Sequence, residues 1–295
     1  MKYKAYGFAV FAVLTWATAP IIFKIGCTRL TFEQAVFWFL LIGGVSLIIP
    51  RVHLLLKGNN LGLWGFALVI GIAQAIHYLS LVKALNLQDV SLTVAIVKTS
   101  TILQFIFAVI LLKSKWNFKV VLGVLVCLIG VLTVIGFKVQ TQATLFPILI
   151  SLLAAVANGF MCIAIPKSKQ DEFLVTGLSL LWGAIIVYFL TKTYGGSVAI
   201  PEGIMEWSVL IYLGIFPTAI ALAGWGTALN IMKDQESKII SFEFFVPVVA
   251  AIASAIFLSE KLTYMFLMGL LVIVAGNYII SKESEKLKSQ IESNQ

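Results

Sequence analysis

Long runs of apolar residues, interrupted by short polar clusters, set the pattern of this chain from end to end. A helix needs about 20 apolar residues to cross the hydrocarbon core of a bilayer. By that measure the sequence predicts ten spans: Tyr6–Ile25, Phe32–Ile49, Leu61–Leu81, Ser91–Leu112, Phe118–Ile135, Leu145–Ile165, Leu174–Leu190, Trp207–Leu229, Ile239–Leu258 and Tyr264–Ile280. The polar clusters between them are short, which leaves no room for an inserted soluble domain. The first run follows Lys2 and Lys4 but is long and lacks a small-residue cleavage site, so it reads as a retained span.

The pattern is written twice. Ala84-Leu85-Asn86 recurs as Ala228-Leu229-Asn230, and Leu112, Gly123 and Gly130 recur 146 residues later as Leu258, Gly269 and Gly276. Upstream, Trp64 and Gly71 recur as Trp207 and Gly214, 143 residues on. A spacing that drifts this little predicts a duplicated unit. Five spans per unit is an odd number, so the second copy must enter the membrane from the opposite side. The expected fold is all-α and integral to the membrane: two inverted five-helix repeats, residues 1–140 and 141–281, then a polar tail, 282–295, expected as a frayed helix. Inverted repeats frame binding sites near the bilayer midplane and give alternating access by rocking about them.

Composition agrees. Of 295 residues, 60% are hydrophobic and 12% charged, where a soluble domain carries roughly 25% charged residues; mean hydropathy is +1.03. The net charge of +8 is scattered at the ends of apolar runs, the pattern of topology signals and not of a nucleic-acid surface. With the N-terminus inside, one face receives fourteen Lys and Arg and the other six, which predicts a multi-pass protein of the cell membrane with both termini cytoplasmic. Cys27, Cys127 and Cys162 have no metal or disulfide spacing and read as small packing residues. No phosphate loop and no H-E-x-x-H motif occurs, so neither ATP nor zinc is implied and no cofactor is expected. The partners implied are the lipid bilayer and a small-molecule substrate, with the chain acting as monomer or homodimer.

Polar residues inside apolar runs are the candidates for chemistry. Lys98 is the sharpest, because a charge at mid-helix costs about 2.5–3.5 kcal/mol on insertion scales and so faces a cavity or a partner; snorkelling to the outer interface is the alternative. It opens the run Lys98-Thr99-Ser100-Thr101, and Thr93, Ser100 and Gln104 share a face of the same span. Glu243, beside Phe244, Phe245 and Pro247, is the candidate for carrying a proton, or else lies at the cytoplasmic headgroup level paired with Lys238. The repeat sets Val97 opposite Glu243, so Lys98 and Glu243 enter from opposite faces at near-equivalent depths. They need not touch, and a zwitterion between them would satisfy both. Trp16, with Pro20 one turn on, and Trp225 offer walls for a flat substrate. Gln74, His77 and Tyr78 share an arc of the third span, and Asn158 aligns with Trp16. The expected substrate-binding set is Trp16, Gln74, Tyr78, Lys98, Thr101, Asn158, Trp225 and Phe244. Small faces at Gly123, Cys127 and Gly130, and at Pro217, Ala221, Gly224 and Ala228, read as helix packing. Met161 reads as core- or lipid-facing, and Glu260 as tying an outer turn with Lys261.

Leu14-Thr15-Trp16-Ala17, Ala84-Leu85, Phe245-Val246-Pro247-Val248, Phe257-Leu258-Ser259-Glu260-Lys261-Leu262, Gly269 and Gly276 together resemble the EamA-type ten-span transporters of the drug/metabolite transporter superfamily. The first repeat departs from that pattern: Thr101 stands where a proline would align with Pro247, Ser114 where an acid would align with Glu260, and Trp38 near where many members carry an arginine. The resemblance implies a secondary transporter that exports, or sometimes imports, small metabolites, amino acids and nucleosides among them. An intramembrane enzyme is the second class, with His77 and Ser80 as a dyad that lacks an orienting acid. A channel or receptor is the third.

Overall fold

The computed structural model describes residues 2–55, 61–88, 90–114, 117–135, 145–168, 170–233, 235–258 and 264–293. The repeat junction at residue 140 and the turn bearing Glu260 and Lys261 lie outside them, as do Asp89 and Asp234. Every described element is a helix. Span 1 is Lys2–Gly26, span 2 Phe32–Leu55, span 6 Leu145–Lys167, span 7 Glu172–Thr193, span 8 Ile204–Ile231 and span 9 Glu236–Phe257. Span 3 is Leu61–Leu87, span 5 Phe118–Ile135 and span 10 Tyr264–Ser293. Span 4 is assembled from Val90–Val97, Ser100–Phe107 and Ala108–Leu112. Seven of the ten, spans 1–3 and 6–9, are each long and apolar enough to cross a membrane as continuous helices.

Exposed and buried apolar residues alternate by helical face. In span 5, Val120, Val124, Cys127 and Val131 are buried, while Leu122, Leu125, Ile129 and Leu132 point outward. That outward face has a bilayer as its solvent, so apolar residues line both sides of the helix.

The packing is symmetric under exchange of each span with the one five later. Span 2 packs on span 7 and span 5 on span 10; span 3 packs on spans 6 and 7 as span 8 does on spans 1 and 2; span 4 packs on span 6 as span 9 does on span 1. Glycines explain how backbones come so close. A Cβ on Gly43 would stand 2.6 Å from the carbonyl oxygen of Gly214, and one on Gly71 2.9 Å from that of Ser179. At the span 5–span 10 crossing the repeat-related glycines pair reciprocally, Gly123 with Gly276 and Gly130 with Gly269. The tryptophans echo this: Trp64 packs edge-on against Trp182 and its counterpart Trp207 against Trp38. Two copies of five spans related in this way must be inverted, as the sequence predicts.

The tail does not fray at residue 282. Helix continues to Ser293, and Glu283 takes a hydrogen bond from Asn117 Nδ2 at 3.3 Å and one from Lys286 at 2.8 Å. Asn117 also accepts from Val120 N–H at 2.9 Å, capping the start of span 5 while holding span 10.

Candidate functional site

Spans 4 and 9 are discontinuous at repeat-equivalent points. In span 4 the α-helix ends at Val97 and resumes at Ser100. Thr101 N–H donates to Lys98 O at 3.1 Å and Ile102 N–H to Thr99 O at 3.0 Å, a tighter register than the α-helix. Thr99 supplies a competing donor, its hydroxyl reaching Ile96 O at 2.7 Å. In span 9 a tight 3₁₀ segment, Ser241–Phe245, separates Glu236–Ile240 from Val246–Leu258. Pro247, lacking an N–H, cannot bond back to Glu243, and Val246 N–H takes that carbonyl instead. Broken helices at the middle of an inverted repeat are where transporters place their sites.

The two breaks meet through side chains. Lys98 Nζ donates to Glu243 Oε2 at 3.3 Å, and the Thr101 hydroxyl donates to the same oxygen at 3.2 Å. Glu243 is fully buried, and its Oε1 has no donor among the described residues. Lys98 and Glu243 therefore touch, where the sequence alone allows either arrangement. Neither snorkels to a headgroup. Lys98 Nζ also lies 4.6 Å from the centre of the Trp16 ring, a cation–π contact in a desolvated setting.

Lys98 of this pair stands in the wall of a cavity. Trp16, Phe23, Phe39 and Tyr78 give it aromatic walls, and Lys98, His77, Asn158 and Thr218 its polar groups. Its lining runs from mid-membrane toward the ends of spans 1 and 3. The opposite face is shut: Tyr6 packs on Phe242, Phe8 on Phe173 and Trp16 on Trp225. Farther along that face, Asn230 Nδ2 donates to Glu172, and Arg51 pairs with Asp171 at 2.9 Å.

Trp16 is held by a defect in span 8. Over Gly214–Ile220 that helix adopts the wider i→i−5 register, so Ala221 N–H donates to Phe216 O and not to Pro217 O. The register shift strands one donor and one acceptor at residue 217. Proline has no donor to strand, and its carbonyl accepts the Trp16 indole N–H at 2.8 Å. Trp16→Phe keeps a ring for Lys98 but leaves the Pro217 carbonyl unpaired. The expected loss is about 1–3 kcal/mol, read as a lower melting temperature in detergent, and Pro217→Ala should not restore it.

The expected site residues separate into a wall and a layer behind it. Trp16, Tyr78, Lys98 and Asn158 line the cavity. Asn158 donates to Ser100 Oγ at 2.9 Å, tying span 6 to the break in span 4. Glu243 and Thr101 stand behind Lys98. Trp225 is fully buried against Trp16, and Phe244 stacks on Phe105; neither reaches the wall. Gln74 turns away toward span 7, its Nε2 3.4 Å from Ser179 Oγ. Met161 is buried in the core, as expected, and also contributes to the wall, as do Pro217 and Thr218. The signal missed was Pro217 in the middle of an apolar run, read only as a small packing residue. His77 Nδ1–H donates to Ala154 O at 2.9 Å, which fixes its tautomer. Among the described residues His77 and Ser80 form no dyad.

Relatives agree with this architecture. Residues 3–136 and 145–282 each match the EamA-like transporter family. The uncharacterized transporter YvbV of Bacillus subtilis is 25% identical over 264 residues, 84% of this chain and 82% of its own. The aromatic amino acid exporter YddG of Escherichia coli is 26% identical over 190 residues, 60% of this chain and 62% of its own. One solved crystal structure superposes with a TM-score of 0.77 at 17% identity, covering 97% of this chain and 99% of the other. The two matches fall on the two five-span halves, and the relatives are transporters and not enzymes: the chain belongs to the EamA-like transporter family.

Proposed function

We propose that the chain is a secondary transporter that exports small metabolites bearing a carboxylate and a flat apolar body, aromatic amino acids first among them. The observation that carries this is Lys98: a cation at a helix break, on the wall of an aromatic-lined cavity. A substrate carboxylate would pair with Lys98 while its ring lies among Trp16, Phe39 and Tyr78. The resemblance to YddG, which is named for aromatic amino acid export, supports the class. Export is the direction the family resemblance implies. With the charge asymmetry placing both termini in the cytoplasm, the shut face is cytoplasmic and the cavity opens outward. One chain encloses the whole cavity and serves as the transport unit, whether or not it dimerises. Glu243 is the proton carrier in this reading.

Counterflow of labelled L-phenylalanine into proteoliposomes preloaded with unlabelled L-phenylalanine tests it. Uptake should overshoot equilibrium and be inhibited by L-tryptophan but not by phenethylamine, which lacks the carboxylate. Equal inhibition by phenethylamine would remove Lys98 from substrate recognition. A steady single-channel conductance in place of counterflow would favour the channel alternative.

A further inference from the structure

An amino-acid substrate brings an ammonium as well as a carboxylate, and Lys98 answers only the second. No acid stands among the residues that line the cavity, so the ammonium must be received by neutral acceptors. Much of the wall's polar surface is already paired. The hydroxyls of Tyr78 and Thr218 bond each other, and the Trp16 indole N–H is held by Pro217 O. Two acceptors stand without a strong donor. His77 donates Nδ1–H to Ala154 O, and in the neutral imidazole Nε2 is then an acceptor, with no partner among the described residues. Asn158 gives Nδ2–H to Ser100 Oγ and receives at Oδ1 only the Cys162 thiol, a weak donor at 3.6 Å.

The two acceptors are neighbours. Ala154 precedes Asn158 by one turn of span 6, so the bond to Ala154 brings the His77 ring alongside Asn158. Ser100, the partner of Asn158, is two residues beyond Lys98 in span 4. Lys98 acts electrostatically on His77 and on Cys162, the residue against Asn158 Oδ1. A cation and two neutral acceptors are thus gathered in one part of the wall. An ammonium and a carboxylate carried on one carbon require that arrangement.

We propose, resting on the transport reading above, that His77 Nε2 and Asn158 Oδ1 form an amine subsite, and that with Lys98 they recognise the α-amino and carboxylate groups of one substrate together. The substrate ammonium donates to both acceptors while its carboxylate faces Lys98. A zwitterion carries no net charge, so its amine needs hydrogen-bond acceptors but no wall carboxylate to balance it. An aryl carboxylate without the amine leaves both acceptors unpaired against an apolar body, and a site built to bond a substrate N–H rejects the analogue that lacks it. The cavity thereby selects amino acids over plain aryl carboxylates, a distinction that Lys98 and the aromatic walls cannot make by themselves.

The experiment compares inhibition of labelled L-phenylalanine counterflow by unlabelled L-phenylalanine and by 3-phenylpropionate, which keeps the ring and the carboxylate and lacks the amine. Hydrogen bonds to a charged group set the expected ratio: 3-phenylpropionate should bind about 10–100-fold more weakly than L-phenylalanine. This wild-type ratio depends on no variant folding. His77→Leu and Asn158→Leu should each weaken L-phenylalanine by about tenfold and leave 3-phenylpropionate unchanged, so that the ratio falls. His77→Gln, which retains a donor for Ala154 and an acceptor for the amine, should keep most of the ratio. A merely structural role would weaken both ligands alike. Equal inhibition by the two ligands in the wild type, or a ratio unmoved in both leucine variants, would overturn the amine subsite and leave the transport reading standing. Absence of counterflow with every amino acid and with 3-phenylpropionate itself would overturn both.

Discussion

Lys98→Ala is expected to abolish amino-acid counterflow and to destabilise the protein by about 3–5 kcal/mol, the cost of leaving one member of a buried ion pair unpaired. Two different losses are combined in that result. Transport fails because the cavity wall loses its only charge among the lining residues, so a substrate carboxylate has nothing to pair with. Stability fails because Glu243, fully buried, keeps only the Thr101 hydroxyl. The double variant Lys98→Ala with Glu243→Gln separates the two. Its melting temperature in detergent should return most of the way to the wild type, since neither charge remains, while counterflow stays absent. If the double variant melts as low as the single one, the destabilisation comes from lost packing on Trp16 and not from the stranded carboxylate. Residues this close are not additive, and the non-additivity is the measure of the pair.

Much of this is legible in the sequence, for physical reasons. Apolar run length sets span number because the bilayer has a fixed thickness. The Gly123, Gly130, Gly269 and Gly276 series is readable because close backbone approach tolerates no Cβ. Lys98 and Glu243 stand out because ions inside apolar runs are expensive. What was not legible depends on rotation about a helix and on backbone register. Trp225 and Phe244 sit in the right spans but face a neighbouring ring, not the cavity, and Gln74 turns to span 7. An apolar helix bounded by lipid shows little periodicity from which to read its orientation. The wide register at Gly214–Ile220 leaves no trace in hydropathy, yet it brings Pro217 and Thr218 to the wall and fixes Trp16. The two breaks are half-visible: Pro247 marks one, while at the other only the Thr99 hydroxyl reaches a backbone carbonyl, and threonine is common in intact helices too.

Gly276→Val is expected to be the most disruptive single change away from the cavity. A Cβ there would lie 2.5 Å from Cys127 Sγ, 2.8 Å from Cys127 N and 2.8 Å from the carbonyl oxygen of Gly123. Two of those three atoms are backbone, so no rotamer change relieves the clash and span 10 must separate from span 5. Inserting methyl groups into a tight core costs about 1–3 kcal/mol, and the top of that range applies where backbone has to move. The crossing is doubled by the repeat: a Cβ on Gly130 would meet Ile273 N at 2.8 Å and Gly269 O at 2.9 Å. Gly130→Val should therefore lower the melting temperature by a similar amount. The contrast is Gly65, a helical glycine with nothing within 4 Å of its Cβ position. Gly65→Ala should be neutral or stabilise by up to about 1 kcal/mol, through backbone entropy alone. If Gly276→Val and Gly65→Ala melt together, spans 5 and 10 do not pack through their glycines. If both valine variants lose stability while wild-type-like counterflow persists at low temperature, the crossing is a scaffold, and rocking about the Lys98–Glu243 site does not require spans 5 and 10 to slide.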